Sequence, residues 1–212
     1  MSDLIGLTAA ELAFVVWTRG SSIPPSVAKA LGIGDADQTE AFRMAGLGSL
    51  LTRKLATPLP ESRVDLAPAL VAVAEGLVRP AATVQIGLIA QTAADGALLV
   101  ESPLARFLVA PRRYRCFDVT GLDRSVEAPE PLLWIGAEFL RHYRPAVVTF
   151  TVTTYPDEST RAASMAVGAD GTWSYLSGAD PAAAVLATEA ECTAMLGAEL
   201  SRLVPHAAPA TS

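Results

Sequence analysis

The spacing of apolar residues changes near position 80 of this 212-residue chain. Up to Val78, apolar residues recur every three to four positions, which is the period of an amphipathic helix. Directly beyond that point, from Thr83, every second residue is apolar, which is the period of a half-buried strand. The first such run carries Val84, Ile86, Leu88 and Ala90. The change predicts a helical first third followed by a sheet.

Four helices are predicted before that change. Thr8 and Glu11 have the spacing of a capping box, in which each side chain bonds the backbone N–H of the other residue. The predicted helices run from Thr8 to about Arg19, from Pro25 to Leu31, from about Asp37 to Ala56 and from about Pro68 to Val78. The predicted buried stripe of the third helix is Met44, Leu47, Leu51 and Leu55. That of the fourth is Leu70, Ala74, Leu77 and Val78.

The remaining two thirds repeats one plan, in which strands, an Asp-Gly turn, further strands and a closing helix follow one another. Asp95-Gly96 is the first predicted turn and Asp170-Gly171 the second. The first closing helix is predicted from Pro131 to about Tyr143. The second is predicted to start at Pro181, behind an Asp180 cap. Its predicted buried face carries Cys192, Leu196, Leu200 and Leu203.

These patterns predict an α+β protein in which helices pack on an antiparallel sheet. Residues 1–80 form a helical segment, and residues 81–145 and 146–205 form two strand-and-helix halves related by a pseudo-two-fold internal duplication. Residues 206–212 are predicted to be a disordered tail, and the whole is expected to be one compact structural unit. Predicted strands occupy residues 83–91, 97–101, 106–110, 113–120, 147–154, 161–168 and 172–176.

Composition narrows the classes of protein that the chain can represent. Hydrophobic residues make up 51% and charged residues 18%, which argues against disorder. No apolar run approaches the roughly 20 residues of a membrane-spanning helix. The start carries Asp3 and no basic flank, unlike a secretory signal. We therefore expect a cytoplasmic protein without membrane insertion. A net charge of −6 disfavours binding to nucleic acid.

The sequence offers few residues that could carry catalysis. His142 and His206 are the only histidines, and neither pairs with a cysteine at zinc-site spacing. His142 ends a predicted helix, where it can stabilise the helix dipole. Cys116 and Cys192 lie among apolar neighbours, as buried free thiols do, with a disulfide or a metal-binding pair as alternatives. The sequence therefore predicts no enzyme, no cofactor and no metal, with an unrecognised enzyme as an alternative.

Two features allow a sharper interpretation. Arginines between positions 106 and 124 form a local cluster, typical of a charged sheet face or edge and alternatively of a site for phosphate or an acidic partner. The members are Arg106, Arg112, Arg113, Arg115 and Arg124. The helical first third could instead hold a helix-turn-helix, which makes a transcription regulator with an α/β sensor region the alternative function. The positive and negative charges of this helical third nearly cancel, whereas a DNA-recognition helix usually carries a surplus of basic residues.

Three stretches resemble one known family: LTAAELAFVVWTRGSSIPPSVAKAL, AGLGSLLTRKLATP and DLAPALVAVAEGLVRPAATVQIGL. The family is EspG, the cytosolic chaperones of type VII secretion that hold PE–PPE protein pairs before export. Leu51-Thr52-Arg53-Lys54-Leu55 is similar to a sequence motif at the end of a helix in that family, with lysine where glycine is usual. Arg79-Pro80, directly before the first long strand, is similar to the point in that family where a further helix closes on a proline before the first strand.

The resemblance implies a non-enzymatic chaperone or adaptor with two related halves around a sheet. It implies binding of the hydrophobic tip of an exported helical protein of PE–PPE type, without nucleotide or metal. By position, contacts are expected from the loop Gln91 to Asp95 and from the outer face of the helix from Pro181 to Leu203. The candidate partner-binding residues are Gln91, Thr92, Asp95, Glu189 and Arg202. Formation of a homodimer is left open.

Overall fold

The computed structural model describes residues 4–125 and 127–204. Within them the helices are α1 (Ala9–Trp17), α2 (Pro25–Leu31), α3 (Glu40–Thr52), α4 (Pro68–Val78), α5 (Pro129–His142) and α6 (Glu189–Leu203). The strands are β1 (Leu4–Thr8), β2 (Ala56–Pro58), β3 (Val64–Leu66), β4 (Ala82–Ala90), β5 (Ala94–Glu101), β6 (Arg106–Arg112), β7 (Cys116–Gly121), β8 (Ala146–Thr154), β9 (Ser159–Val167), β10 (Trp173–Ser177) and β11 (Val185–Ala187). The predicted α+β class is confirmed.

The order of elements follows the plan expected from the sequence. Four strands and then a helix occur twice, as β4–β7 with α5 and as β8–β11 with α6. By contacts the chain divides into two compact units, one with residues 4–80 and 100–122, the other with residues 81–99, 123–125 and 127–204. The predicted boundaries at positions 80, 145 and 205 stay a prediction. The predicted tail, residues 206–212, lies outside the described residues.

In the first unit, three strands pair antiparallel in the order β6–β7–β1. β1 pairs with β7 along its whole length, from Leu4 opposite Thr120 to Thr8 opposite Cys116. The sequence did not predict β1, because five residues before a helix cap carry no signal of the distant strand that stabilises them. The small antiparallel hairpin of β2 and β3 was also missed, because strands of three residues are too short to show an alternating pattern.

The predicted capping box at the start of α1 is confirmed. The Thr8 hydroxyl accepts the Glu11 N–H at 3.2 Å, and the Glu11 carboxylate accepts the Thr8 N–H at 2.7 Å. The helix is buried from Glu11 through Val16, so it lies inside the unit rather than on its surface. α3 and α4 both pack against it. The predicted bounds of α2 and α4 are also confirmed.

The predicted buried stripe of α3 is wrong. Met44 is 52% exposed, and the buried positions of the helix are Gly46 and Leu50. The cause is a close approach to α1: a Cβ atom on Gly46 would lie 2.0 Å from the Ala10 carbonyl oxygen. A helix that packs through a glycine turns its small residues inward, and the larger apolar residues then lie at the margin. α3 is also shorter than predicted, because a separate 3₁₀ turn occupies Asp35–Gln38.

In the second unit, six strands follow the order β5–β4–β8–β9–β10–β11. β4 and β8 pair antiparallel over nine residues, from Ala82 opposite Thr154 to Ala90 opposite Ala146. One face of these strands is buried under α5 and α6 and carries Val84, Ile86, Val148, Phe150, Val152 and Met165. Gly136 brings α5 close to this face, since a Cβ atom there would lie 3.0 Å from the Phe150 ring.

One predicted turn and one predicted helix start of the second unit were misplaced, whereas the chain does turn at Asp170-Gly171, where the Gly171 N–H donates to the Gly168 carbonyl at 3.0 Å. The first hairpin turns at residues 91–93, where the Ala90 N–H donates to the Ala93 carbonyl at 2.8 Å, so Asp95-Gly96 lies within β5. Asp180 caps only a 3₁₀ turn over Pro181–Ala183. α6 begins eight residues later than predicted, behind a second capping box between Thr188 and Glu191. The intervening residues form β11, whose signal depends on its partner β10.

Acid sensitivity is expected from one ion pair of the first unit. The Asp37 carboxylate accepts hydrogen bonds from both Nη atoms of Arg115, at 2.8 and 2.7 Å, and from the Gly34 N–H at 2.9 Å. The bonds from Arg115 hold the pKa of Asp37 below its usual value, although burial opposes them. The ionised carboxylate therefore stabilises the fold above its ordinary pKa of about 3.9, and this stability is lost as the pH falls through the lower, folded pKa.

We expect the free energy of unfolding, measured by urea titration, to fall as the pH drops below about 5. The variant Asp37→Asn should have a lower free energy of unfolding than the wild type at pH 7, and this free energy should fall less on acidification. Asp35→Asn, at an exposed position of the same turn, is the matched control. If the free energy of unfolding fell equally with pH in the wild type and in Asp37→Asn, the Asp37–Arg115 pair would not be the source of the acid sensitivity.

Candidate partner-binding surface

One row of side chains crosses the outward face of the second unit's sheet. Successive cross-strand partners run from Ile89 to Val147, to Ala166, to Ser174 and to Leu186. We call these five residues the outward row. Side chains alternate between the two faces of a strand, so this row points away from the face that α5 and α6 cover.

The outward row is apolar and open to solvent. Leu186 is 73% exposed, Ile89 57% and Val147 38%. An open groove of about 480 Å³ follows the row, and all of its lining residues are uncharged, Gln91 and Pro145 among them. Neighbouring exposed apolar residues, unlike scattered ones, mark surfaces that another molecule covers.

The apolar character belongs to one end of the face rather than to the whole of it. Two residues further along the strands, the next cross-strand row is Gly87, Thr149, Ser164 and Leu176. Beyond it lie Gln85 and Thr151. An exposed face of an antiparallel sheet is ordinarily polar, as these rows mostly are. The outward row is therefore a local departure, and strand propensity alone does not explain it.

Three arginines of the predicted cluster form structural ion pairs. These arginines do not act as one basic site, because each has a different carboxylate partner. Arg106 pairs with Glu101, Arg112 with Asp118 and Arg115 with Asp37. His142 is exposed at the end of α5, with Nδ1 2.8 Å from the Glu138 carbonyl. Burial raises the pKa of the Cys192 thiol, and a nearby carboxylate adds to this.

Across residues 4–125 and 127–204, no group of three or more His, Cys, Asp or Glu side chains is placed to hold a metal ion. In the same ranges no helix has the length and apolarity that crossing a bilayer requires.

No known protein family matches the sequence, and no curated protein matches it. Among solved structures, the fold is similar to a chain in the structure of the Mycobacterium tuberculosis type VII secretion system chaperone EspG5 in complex with the PE25–PPE41 dimer. The TM-score is 0.64 at 9% sequence identity, over 95% of this chain and 97% of the other. The chain has an EspG-like fold. At this identity the likeness is one of fold, and at that level the resemblance seen in the sequence is confirmed.

The EspG-like fold distributes the predicted contact residues over separate places. Gln91 and Thr92 are exposed in the first hairpin turn, and Gln91 lines the groove beside the outward row. Asp95 is exposed on β5 and accepts the Gly96 N–H at 2.8 Å. Glu189, at the start of α6, pairs with Arg141 of α5 at 2.7 Å. These residues stay predictions, with Gln91 the best placed.

Arg202 lies in the last turn of α6, where it pairs with Glu199. It is about 20 Å along the helix from Glu189, given the rise of about 1.5 Å per residue. α6 of the EspG-like fold packs on the face opposite the outward row, so the structure does not bring Arg202 together with Gln91.

The sequence analysis missed Ile89, Val147 and Leu186. A signal was present, because Leu88-Ile89 and Val147-Val148 are apolar pairs within strands that otherwise alternate. Such pairs place apolar side chains on both faces of a sheet. Only the register, however, shows that the outward members of the two pairs are neighbours.

Proposed function

We propose that this protein is a cytoplasmic chaperone or adaptor that binds an exported helical protein of the PE–PPE type through the outward row. The single observation that supports the site is the exposed apolar row beside Gln91. The EspG-like fold supports the class of function, since the similar solved structure is a type VII secretion chaperone in complex with a PE–PPE dimer. No observation favours the alternative of a transcription regulator.

The chemistry of the row suits an apolar helix tip. Ile89, Val147 and Leu186 would together contribute about 3 kcal/mol if a partner covered their exposed surface, at about 1.5–3 kcal/mol for a complete side chain. The uncharged lining lets apolar side chains approach without desolvating an ion. The Gln91 amide at the groove can donate to and accept from the backbone at the end of a helix.

We expect Ile89→Asp to weaken partner binding at least tenfold, because it removes apolar contact and buries a carboxylate in the interface. The matched control is Gln85→Asp, which places the same residue on the same strand and the same face, four positions away. Its affinity should stay within about threefold of the wild type. The measurement is co-purification of the tagged protein with small helical exported proteins encoded next to it, followed by calorimetry of the purified complex.

Two results would contradict the proposal. One is the absence of a stable complex with every neighbouring exported protein. The other is an equal loss of affinity in Ile89→Asp and Gln85→Asp, which would point to a general effect on the sheet rather than to the row. Leu186→Asp, at the far end of the row, should reproduce the loss seen with Ile89→Asp if the surface acts as one.

A further inference from the structure

A second groove lies in the first unit, separate from the outward row. It has a volume of about 470 Å³ and lies between the end of α1 and the β2–β3 hairpin. Its walls are Phe14, Trp17 and Thr18 on one side and Ser62, Arg63 and Val64 on the other. Grooves of this size that combine aromatic side chains with a few polar groups are typical of binding sites.

Trp17 is the exposed end of an otherwise buried helix. Its side chain is 54% exposed, although the six residues before it are buried. Its ring lies 5.8 Å from the buried ring of Phe14, so the two form a continuous aromatic wall. Tryptophan left open beside a groove offers a partner a large rigid contact area.

Two arginines give this apolar groove a positive charge. The Arg43 guanidinium carbon lies 5.3 Å from the centroid of the Trp17 ring, and one Nη bonds the Gln38 carbonyl. The Arg63 Nε lies 3.5 Å from the Pro60 carbonyl. In the part of the chain that the structure describes, neither arginine pairs with a carboxylate.

Five arginines of the same unit are each neutralised by a carboxylate, namely Arg19, Arg53, Arg106, Arg112 and Arg115, whereas Arg79 and Arg113 are not among these pairs. A guanidinium has five N–H donors, so Arg43 and Arg63 keep most of theirs for a ligand. Of the arginines without such a pair, Arg63 lines the groove and Arg43 lies over the Trp17 ring.

The hairpin wall turns through two residues with positive φ, as the two-residue turns that favour β-hairpins require. Glu61 and Ser62 both adopt left-handed angles, with φ of 61° and 59°, although neither is glycine. The Arg63 N–H closes the turn by bonding the Pro60 carbonyl at 3.4 Å. The turn sets Arg63 at the groove.

We propose that this groove binds an acidic peptide segment of another protein, which packs one large apolar side chain on Trp17 and Phe14 and sets carboxylates beside Arg43 and Arg63. The aromatic wall accounts for the apolar side chain, and the two unpaired arginines account for the acidic flanks. This partner is additional to the one proposed for the outward row, and the two sites belong to different units.

The test uses the full-length protein and three capped synthetic peptides: Glu-Glu-Phe-Glu-Glu, Lys-Lys-Phe-Lys-Lys and Glu-Glu-Ala-Glu-Glu. Calorimetry at low salt should show the first binding at least about tenfold more tightly than either of the others. Its affinity should fall as salt is raised, because exposed charges are screened. Trp17→Ala and the double variant Arg43→Gln with Arg63→Gln should each reduce that affinity at least about tenfold.

Trp134→Ala is the matched control, since Trp134 is also exposed, at 67%, but lies on α5 in the second unit. It should leave peptide binding unchanged, as should Ile89→Asp, so the failure of one site is distinguishable from the failure of the other. The proposal is overturned if the acidic phenylalanine peptide does not bind at about 1 mM, or if the lysine peptide binds equally well. Full affinity in a folded Trp17→Ala variant would overturn it too.

Discussion

Gly46→Ala is expected to lower the free energy of unfolding by at least about 3 kcal/mol, which is enough to prevent a marginally stable protein from folding. The added Cβ would lie 2.0 Å from the Ala10 carbonyl oxygen and 2.8 Å from the Glu11 nitrogen. Both atoms belong to the backbone of α1 and cannot move aside without displacing the helix. The two helices would have to separate, which opens the core of the first unit.

Gly48 is a matched control on the same helix. A Cβ atom built there meets nothing within 4 Å, and the residue is exposed. Gly48→Ala should therefore raise the free energy of unfolding by about 1 kcal/mol, because alanine favours the helix. Urea titration of both variants, followed by circular dichroism, compares the same chemical change at two positions. Destabilisation of similar size in the two would show that α3 does not pack through Gly46.

Glu11→Ala is expected to lower the free energy of unfolding by about 3 kcal/mol, because the carboxylate is fully buried and accepts hydrogen bonds from three partners. It accepts the Thr8 N–H at 2.7 Å, the Ser49 hydroxyl at 2.7 Å and Arg53 at 2.9 Å. Burial by itself raises the pKa of Glu11, but the hydrogen bonds from Thr8, Ser49 and Arg53 outweigh it and hold the pKa below its usual value. The group is therefore ionised at neutral pH.

The second capping box of the chain supplies the comparison. Glu191 accepts the Thr188 N–H at 2.8 Å, as Glu11 does that of Thr8, but it is exposed and has no arginine partner among residues 4–125 and 127–204. Glu191→Ala should therefore change stability much less than Glu11→Ala. Urea unfolding at pH 7 measures both. Equal losses would mean that the cap alone, and not the link from α1 to α3, accounts for the stability that Glu11 provides.

Features that depend on neighbouring residues were predictable from the sequence. The Thr8 capping box and the bounds of α2 and α4 are set by prolines, caps and helical spacing within a few positions. The short strands β1, β2, β3 and β11 were not predicted, because each is stabilised by a partner strand rather than by its own pattern. The buried face of α3 failed for a related reason, since it depends on how closely another helix approaches Gly46.

The candidate site, too, was only partly predictable from the sequence. The resemblance to the EspG family directed attention to Gln91, which lies at the groove. The neighbours that give the groove its apolar character are Val147 and Leu186, far from Gln91 in the chain. Their meeting depends on the register of β4 with β8 and of β10 with β11, which no local pattern encodes.

The unbroken pairing of β4 with β8 over nine residues limits how these strands can change in length. Inserting or deleting one residue within β8 would exchange its two faces downstream of the change, turning Phe150 towards solvent and a threonine towards the helices. Substitutions along the outward row could retune it for different cargo one side chain at a time. Insertions there would damage the core and the proposed recognition face together, so diversity in this part of the molecule is expected in residue identity and not in strand length.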